Sequence, residues 1–184
     1  GISCNCDDVI EISAVKVRGG EIVDSFSSLV NPGRPIPWAA SQVNNITDEL
    51  VSDAPTMEEI LPRFLDFFSD DVLVGHNIER FDLKFLARDC RTRFGLVPGN
   101  DYVDTLRYAR CRLAGLQTYR LTALAEHYGL STSGAHRALN DCRMNQQVFE
   151  RLAREPETNA APENLCPLCG APLTYRRGRF GAFY

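Results

Sequence analysis

Two residues of GAHRALND, residues 134–141, carry groups that hydrolytic chemistry needs: the imidazole of His136 and the carboxylate of Asp141. A neutral imidazole can take a proton from water, and a carboxylate can hold a hard divalent cation. On one continuous α-helix their separation would turn the side chains about 140° apart. They converge only if His136 lies in the loop or first turn before the helix. Gly134 and Ala135 give a loose approach of that kind. The alternative is an exposed His near a helix start and an Asp favoured by the helix dipole.

Asp82, in GHNIERFDLKFL at 75–86, is a second candidate. It comes after an apolar run and opens a helix-like segment. The carboxyl ends of strands are where α/β folds collect ligand sites. A helix-capping Asp is the competing use. Asp104 in DYVDT repeats the situation, with a carboxylate ending an extended run and Thr105 after it.

Patterning predicts the elements that must position these groups. DDVIEISAVKV (7–17) and EIVDSFSSLV (21–30) predict two strands of a hairpin around RGG. SQVNNITDELV (41–51) predicts a short helix or turn. Thr56 and Glu59 form a capping box ahead of Ile60, Leu61, Phe64, Phe67 and Phe68, with a kink or boundary expected at Pro62. DVLVGHN (71–77) suits a buried central strand. Residues 80–94 read as a helix with Phe81, Phe85 and Leu86 inward, and 101–113 as an extended piece turning helical near Thr105. LTALAEHYGL (121–130) is a helix stopping at Gly129. Residues 136–153 are the last long helix, with Leu139, Cys142, Phe149 and Leu152 as its inner stripe. A hairpin ahead of alternating strands and helices predicts an α/β mixed sheet flanked by helices.

Composition bounds the function. The chain has 184 residues, 44% hydrophobic and 24% charged, which suits one globular domain with a short appendage. The net charge of −4 argues against broad electrostatic wrapping of nucleic acid, but not against an acidic pocket for cations. No run is long enough to cross a membrane, and no signal-peptide pattern opens the chain. With an odd count of 7 cysteines, a reducing, cytoplasmic setting is expected.

Taken together, VNNIT (43–47), GHNIERFDLKFL (75–86), VDTLRYAR (103–110), LTALAEHYGL (121–130) and AHRALND (135–141) resemble the DEDDh family of 3′–5′ exonucleases. That family includes the proofreading subunit of bacterial DNA polymerase III and the exonuclease domain of PolC-type polymerases. The resemblance spans roughly residues 1–153 and implies a ribonuclease H-like fold. It implies hydrolysis of phosphodiester bonds at single-stranded 3′ ends with two divalent ions, Mg²⁺ or Mn²⁺, about 4 Å apart. It also implies a DNA polymerase or repair complex as partner. Asp82 and Asp141 match metal-binding aspartates, and His136 matches the general base. Asn77 and Asp104 are candidates for positioning.

Two departures stand out. Three residues, Ile78, Glu79 and Arg80, separate His76-Asn77 from Phe81-Asp82, where common members have two. The family's first motif, a strand carrying Asp-x-Glu-Thr, has no match: Gly1 aligns just after it. The expectation is a fragment whose first strand is missing, or a binding module without catalytic competence. Asp7, Asp8 and Glu11 match the family's next loop and strand, and whether Glu11 points inward stays open.

Residues 154–165 are polar and contain Pro156 and Pro162, the composition of a linker. In CPLCGAPLTYRRGRFGAFY (166–184), Cys166 and Cys169 have the spacing of one zinc knuckle. The segment resembles the start of the zinc ribbons of type IA topoisomerases, which implies possible zinc and nucleic-acid contact through its arginines and aromatics.

Overall fold

The hairpin forms as its alternation requires: β1 (Glu11–Arg18) pairs antiparallel with β2 (Glu21–Leu29), with a bulge between Lys16 and Val17. The computed structural model describes residues 7–113 and 115–156 in full, and the backbone of Arg176–Gly178 and Gly181–Phe183. After the hairpin come α1 (Trp38–Asn44), α2 (Asp48–Val51) and α3 (Met57–Phe68). Next are β3 (Leu73–Gly75), α4 (Asp82–Phe94), β4 (Tyr102–Asp104) and α5 (Thr105–Arg112). The domain closes with α6 (Leu121–His127) and α7 (Ala138–Arg154). β3 and β4 are parallel. The fold is mixed α/β, as the patterning predicts.

α3 begins at the expected capping box: Thr56 N–H donates to Glu59 Oε2 at 2.8 Å, and Glu59 N–H returns a bond to Thr56 Oγ1 at 3.4 Å. The helix continues past Pro62, so no boundary falls there. The lost backbone bond would have gone to the carbonyl of Glu58, an exposed residue that water can satisfy. Burial of Ile60, Leu61, Phe64 and Phe68 outweighs the proline, since each such side chain contributes about 1.5–3 kcal/mol against a cost of about 3.

Three apolar clusters hold the domain. One joins α3 to the hairpin through Val30, Leu61, Phe64 and Phe68, with Phe26 and Ile12 against them. A second joins α5, α6 and α7 through Ala109, Leu124, Val148 and Leu152. The third is small and lies under α1 and α2 around Ile46 and Val51. α7 also packs on β1, β2 and β3, and so spans both pairs of strands.

Three sequence expectations change. β3 is not a buried central strand: Val72 is 56% and Val74 39% exposed. Among the described residues β3 pairs only with β4, so one of its edges has no partner. Phe81 faces outward at the start of α4. α7 starts at Ala138 rather than His136, and its buried residues are Met144, Asn145, Val148 and Leu152, so the inner stripe is rotated from the expected one. Leu139 and Cys142 are only half-buried because that end of the helix lies at the site.

The linker expected at 154–165 starts later than predicted, since α7 runs through Arg154; residues 157–165 and the knuckle residues Cys166 and Cys169 lie outside the described residues. The backbone of Arg176–Gly178 pairs antiparallel with that of Gly181–Phe183.

Candidate active site

The parallel register sets Gly75 opposite Asp104, so β3 and β4 end side by side. β3 leads into a tight loop. Ile78 folds back beneath Gly75, where a Cβ would stand 2.8 Å from Ile78 Cδ1, so only glycine fits. Asn77 takes a left-handed backbone, φ 61°. Its carbonyl accepts the N–H groups of Arg80 and Phe81 at 3.2 and 3.1 Å, and its own N–H donates to Asp104 Oδ1 at 3.1 Å. Asp104 is also the N-cap of α5. The same oxygen accepts from Leu106 N–H at 2.9 Å and Arg107 N–H at 3.4 Å. Asn77 and Asp104 are thus brought together, through backbone and carboxylate.

Asp82 is the first residue of α4, not its cap; the cap position is Phe81, which offers no side-chain bond. The residue as a whole is exposed, yet protein atoms crowd its carboxyl group. That desolvation pushes its pKa up to about 6, opposed by its own backbone N–H and reinforced by the charge of Asp104.

His136 lies in the loop before α7, with φ 72°. This is the geometry that lets it meet Asp141: His136 N–H donates to Asp141 Oδ1 at 3.2 Å. Gly134 makes the approach possible, at φ 78° and with Asn140 Nδ2 only 2.5 Å from where a Cβ would stand. Burial pushes the Asp141 pKa up, the His136 N–H and ring pull it down, and Glu11 pushes it up again.

Glu11 points inward. Its carboxylate accepts Arg137 Nη2 at 2.9 Å and Ala138 N–H at 2.9 Å. Cys142 lies within electrostatic reach of Asp82, Asp141 and Glu11. Burial pushes its thiol up to about 12, and Asp82, Asp141 and Glu11 add to the rise in that order. The thiol donates to the Ser13 carbonyl at 3.3 Å. Sequence reasoning does not single out Cys142 as a marker, because nothing local in the sequence distinguishes it. It also misses a buried polar chain behind the site. His76 Nδ1 meets Thr105 Oγ1 at 3.2 Å, Thr105 donates to Asn145 Oδ1 at 2.7 Å, and Asn145 donates to the Val74 carbonyl at 3.4 Å. Burial holds the His76 ring below the usual imidazole range.

Of the site's carboxylates, Glu11 and Asp104 are well satisfied by donors, whereas Asp82 and Asp141 are not. Asp82 and Asp141, both with pKa values raised chiefly by burial, are carboxylates whose ionised form a hard cation would favour. Among the described residues, however, no group of three or more His, Cys, Asp or Glu side chains is placed to hold a metal ion. These donors fit part of a cation site.

A mixed α/β domain with Asp104 ending one of two parallel strands, Asp82 opening the helix after the other, and His136 beside Asp141 at the start of α7 has the donors of a hydrolase-type site. The chain belongs to the exonuclease family of the RNase T type, whose model matches residues 2–149. It is 37% identical over 155 residues to the DNA polymerase III subunit epsilon of Aquifex aeolicus, covering 84% of this chain and 76% of that one. It is 40% identical over 152 residues to the PolC-type DNA polymerase III of Thermotoga maritima, covering 83% of this chain but only 11% of the polymerase. Among solved structures, exonuclease X in complex with 5′ overhanging duplex DNA superposes with a TM-score of 0.65 at 28% identity, covering 78% of this chain and 81% of that one. Escherichia coli exonuclease I bound to a dT13 oligonucleotide shares the fold, with a TM-score of 0.74 at 16% identity over 84% of this chain and 39% of that one.

Proposed function

We propose that this domain hydrolyses DNA from single-stranded 3′ ends, with Asp82 and Asp141 holding divalent cations and His136 as general base. The observation that carries this reading is the His136 loop. Its left-handed turn sets the imidazole-bearing residue directly on the Asp141 carboxylate. Bound Mg²⁺ or Mn²⁺ would stabilise charge on the phosphodiester oxygens and lower the pKa of water. His136, exposed at the mouth of the site, would take the proton from that water. Asn77 and Asp104 hold the loop that delivers Asp82. DNA as substrate is supported by the DNA in the exonuclease X and exonuclease I complexes, and a polymerase partner by the names of the epsilon and PolC-type relatives. A complete two-cation centre needs further carboxylates. We assign these to an Asp-x-Glu strand that pairs along the edge of β3 left without a partner among the described residues, with zinc at Cys166 and Cys169 as a separate matter for the C-terminal segment.

One observation favours a second reading. The described residues do not by themselves gather three metal ligands, which suits a nucleic-acid-binding module without catalysis.

Hydrolysis of a 5′-labelled single-stranded oligonucleotide separates the two. A ladder shortening from the 3′ end with Mg²⁺ or Mn²⁺, abolished by EDTA and by His136→Ala, establishes the nuclease. Binding of the oligonucleotide without cleavage, unchanged after an Asp-x-Glu strand is appended, establishes the binding module.

A further inference from the structure

We propose that Glu11 is the positioning residue that sets the His136 loop, and is not a metal ligand. The inference rests on the role of His136 as general base. Glu11 opens β1, and Arg137 lies 126 residues away in sequence. Its side chain is only 9% exposed, yet it carries a carboxylate. A carboxylate that buried requires compensation, and it receives four hydrogen bonds. Oε1 accepts Arg137 Nη2 at 2.9 Å and Nε at 3.2 Å, and Oε2 accepts Ala138 N–H at 2.9 Å and Arg137 Nε at 3.3 Å.

These bonds fall on a particular place. Arg137 is the N-cap of α7 and has no side-chain cap of its own. A residue at the other end of the chain therefore supplies the anion that the helix N-terminus and its first N–H need. His136 immediately precedes. Its φ of 72° is unfavourable for a residue with a Cβ, so something must hold it. Asp141 holds its N–H from one side, and Glu11 fixes the next two residues from the other. Both Glu11 oxygens are directed at the guanidinium and the helix N–H, and a cation bound there would compete with the Arg137 charge. Glu11 nevertheless lies close enough to Asp141 to raise the latter's pKa, so its charge must stay paired with Arg137 for the site to tolerate it.

The test uses the full chain with Glu11→Gln, and with Arg137→Ala to probe the same link from its other side. In both variants amide hydrogen exchange at His136 and Ala138 should quicken at least about tenfold, while Val148 and Leu152 in the body of α7 stay unchanged. In hydrolysis assays Glu11→Gln should lower kcat by about 10–100-fold, the usual range for a residue acting through another, with KM and Mn²⁺ affinity changed less than about twofold. In a His136→Ala background the same substitution should cost nothing further. Unchanged exchange at His136, a loss of Mn²⁺ binding, or a kcat loss that persists without His136 would each overturn the assignment. If the chain cleaves nothing even with an Asp-x-Glu strand appended, the nuclease reading fails, and the exchange rates still decide the role of Glu11. Should Glu11→Gln unfold, seen as loss of protection at Val148 and Leu152, the Arg137→Ala exchange pattern decides.

Discussion

The loops on either side of the site use one device for two purposes. In each, a non-glycine residue takes a left-handed backbone, Asn77 at φ 61° and His136 at φ 72°, and donates its N–H to an aspartate. Asp104 receives the first, and Asp141 the second. The aspartates differ in what else they do. Asp104 is 8% exposed, and one of its oxygens takes three backbone N–H groups. Asp141 is half-buried and takes one such bond, and burial, with a smaller push from Glu11, raises its pKa. A carboxylate stabilised by several donors is a structural part. One left short of positive partners is a place where a cation is favourable. The same loop grip thus ends on a well-satisfied aspartate on one side and a poorly satisfied one on the other.

The largest effect that tests this contrast is on turnover. Asp141→Asn keeps an acceptor for the His136 N–H but removes the charge, so it should abolish most cleavage, at least about 100-fold in kcat/KM, while unfolding in urea shifts by less than about 1 kcal/mol. His136→Ala should lose about 10²–10⁴-fold in kcat, the range for a general base. If Asp141→Asn unfolds the domain instead, the distinction between the aspartates is wrong.

Asp104→Ala is the converse. It orphans N–H groups of Asn77, Leu106 and Arg107, and should cost about 3 kcal/mol in urea unfolding, from a lost cap and buried unpaired donors. Cleavage should fall only as far as the folded fraction and the placement of Asp82 fall. A stability loss below about 1 kcal/mol would place Asp104 with the functional carboxylates.

The backbone strain should also be uneven. Asn77→Gly removes a Cβ from a left-handed position and should be neutral or stabilising by up to about 1 kcal/mol. Asn77→Val should destabilise by more than about 1 kcal/mol, since a β-branched side chain is poorly tolerated there. Thermal unfolding of the pair measures the difference.

The smallest effect is electrostatic. Asp82 titrates at about 6 in the folded protein against the usual 3.8. Between those values the folded state binds more protons than the unfolded state. Its contribution to stability is therefore fully present below about pH 4, falls as pH rises, and is lost above about pH 6. Metal-free melting temperatures should show this decline, and Asp82→Asn should flatten it. Mg²⁺ should restore the loss at pH 7 in the unsubstituted chain but not in Asp82→Asn, because the cation binds the ionised carboxylate.

Much of the fold is legible in sequence because its signals are local. The hairpin arises from alternation across a glycine turn, and α3 from its Thr56–Glu59 box. α5 arises from Asp104-Thr105, and the stop of α6 from Gly129 at φ 67°. The pairing of His136 with Asp141 is conditional in sequence, since it depends on where α7 begins. The structure resolves it by starting the helix at Ala138. The exposure of β3 is not legible, because an apolar tripeptide reads the same whether or not a neighbour covers it.

By itself the sequence determined the order of the elements, the residue types available for chemistry and the loops that carry them. Those depend on propensities and periodicities acting over a few residues. Only the tertiary structure decided that Asp104 serves the backbone while Asp141 receives a single backbone N–H, and that Glu11 faces Arg137 rather than solvent. Hydrogen-bond partners 27 and 126 residues away settle those roles, and no local pattern encodes them. A carboxylate's function is fixed by which donors reach it, and that count exists only once the chain is folded.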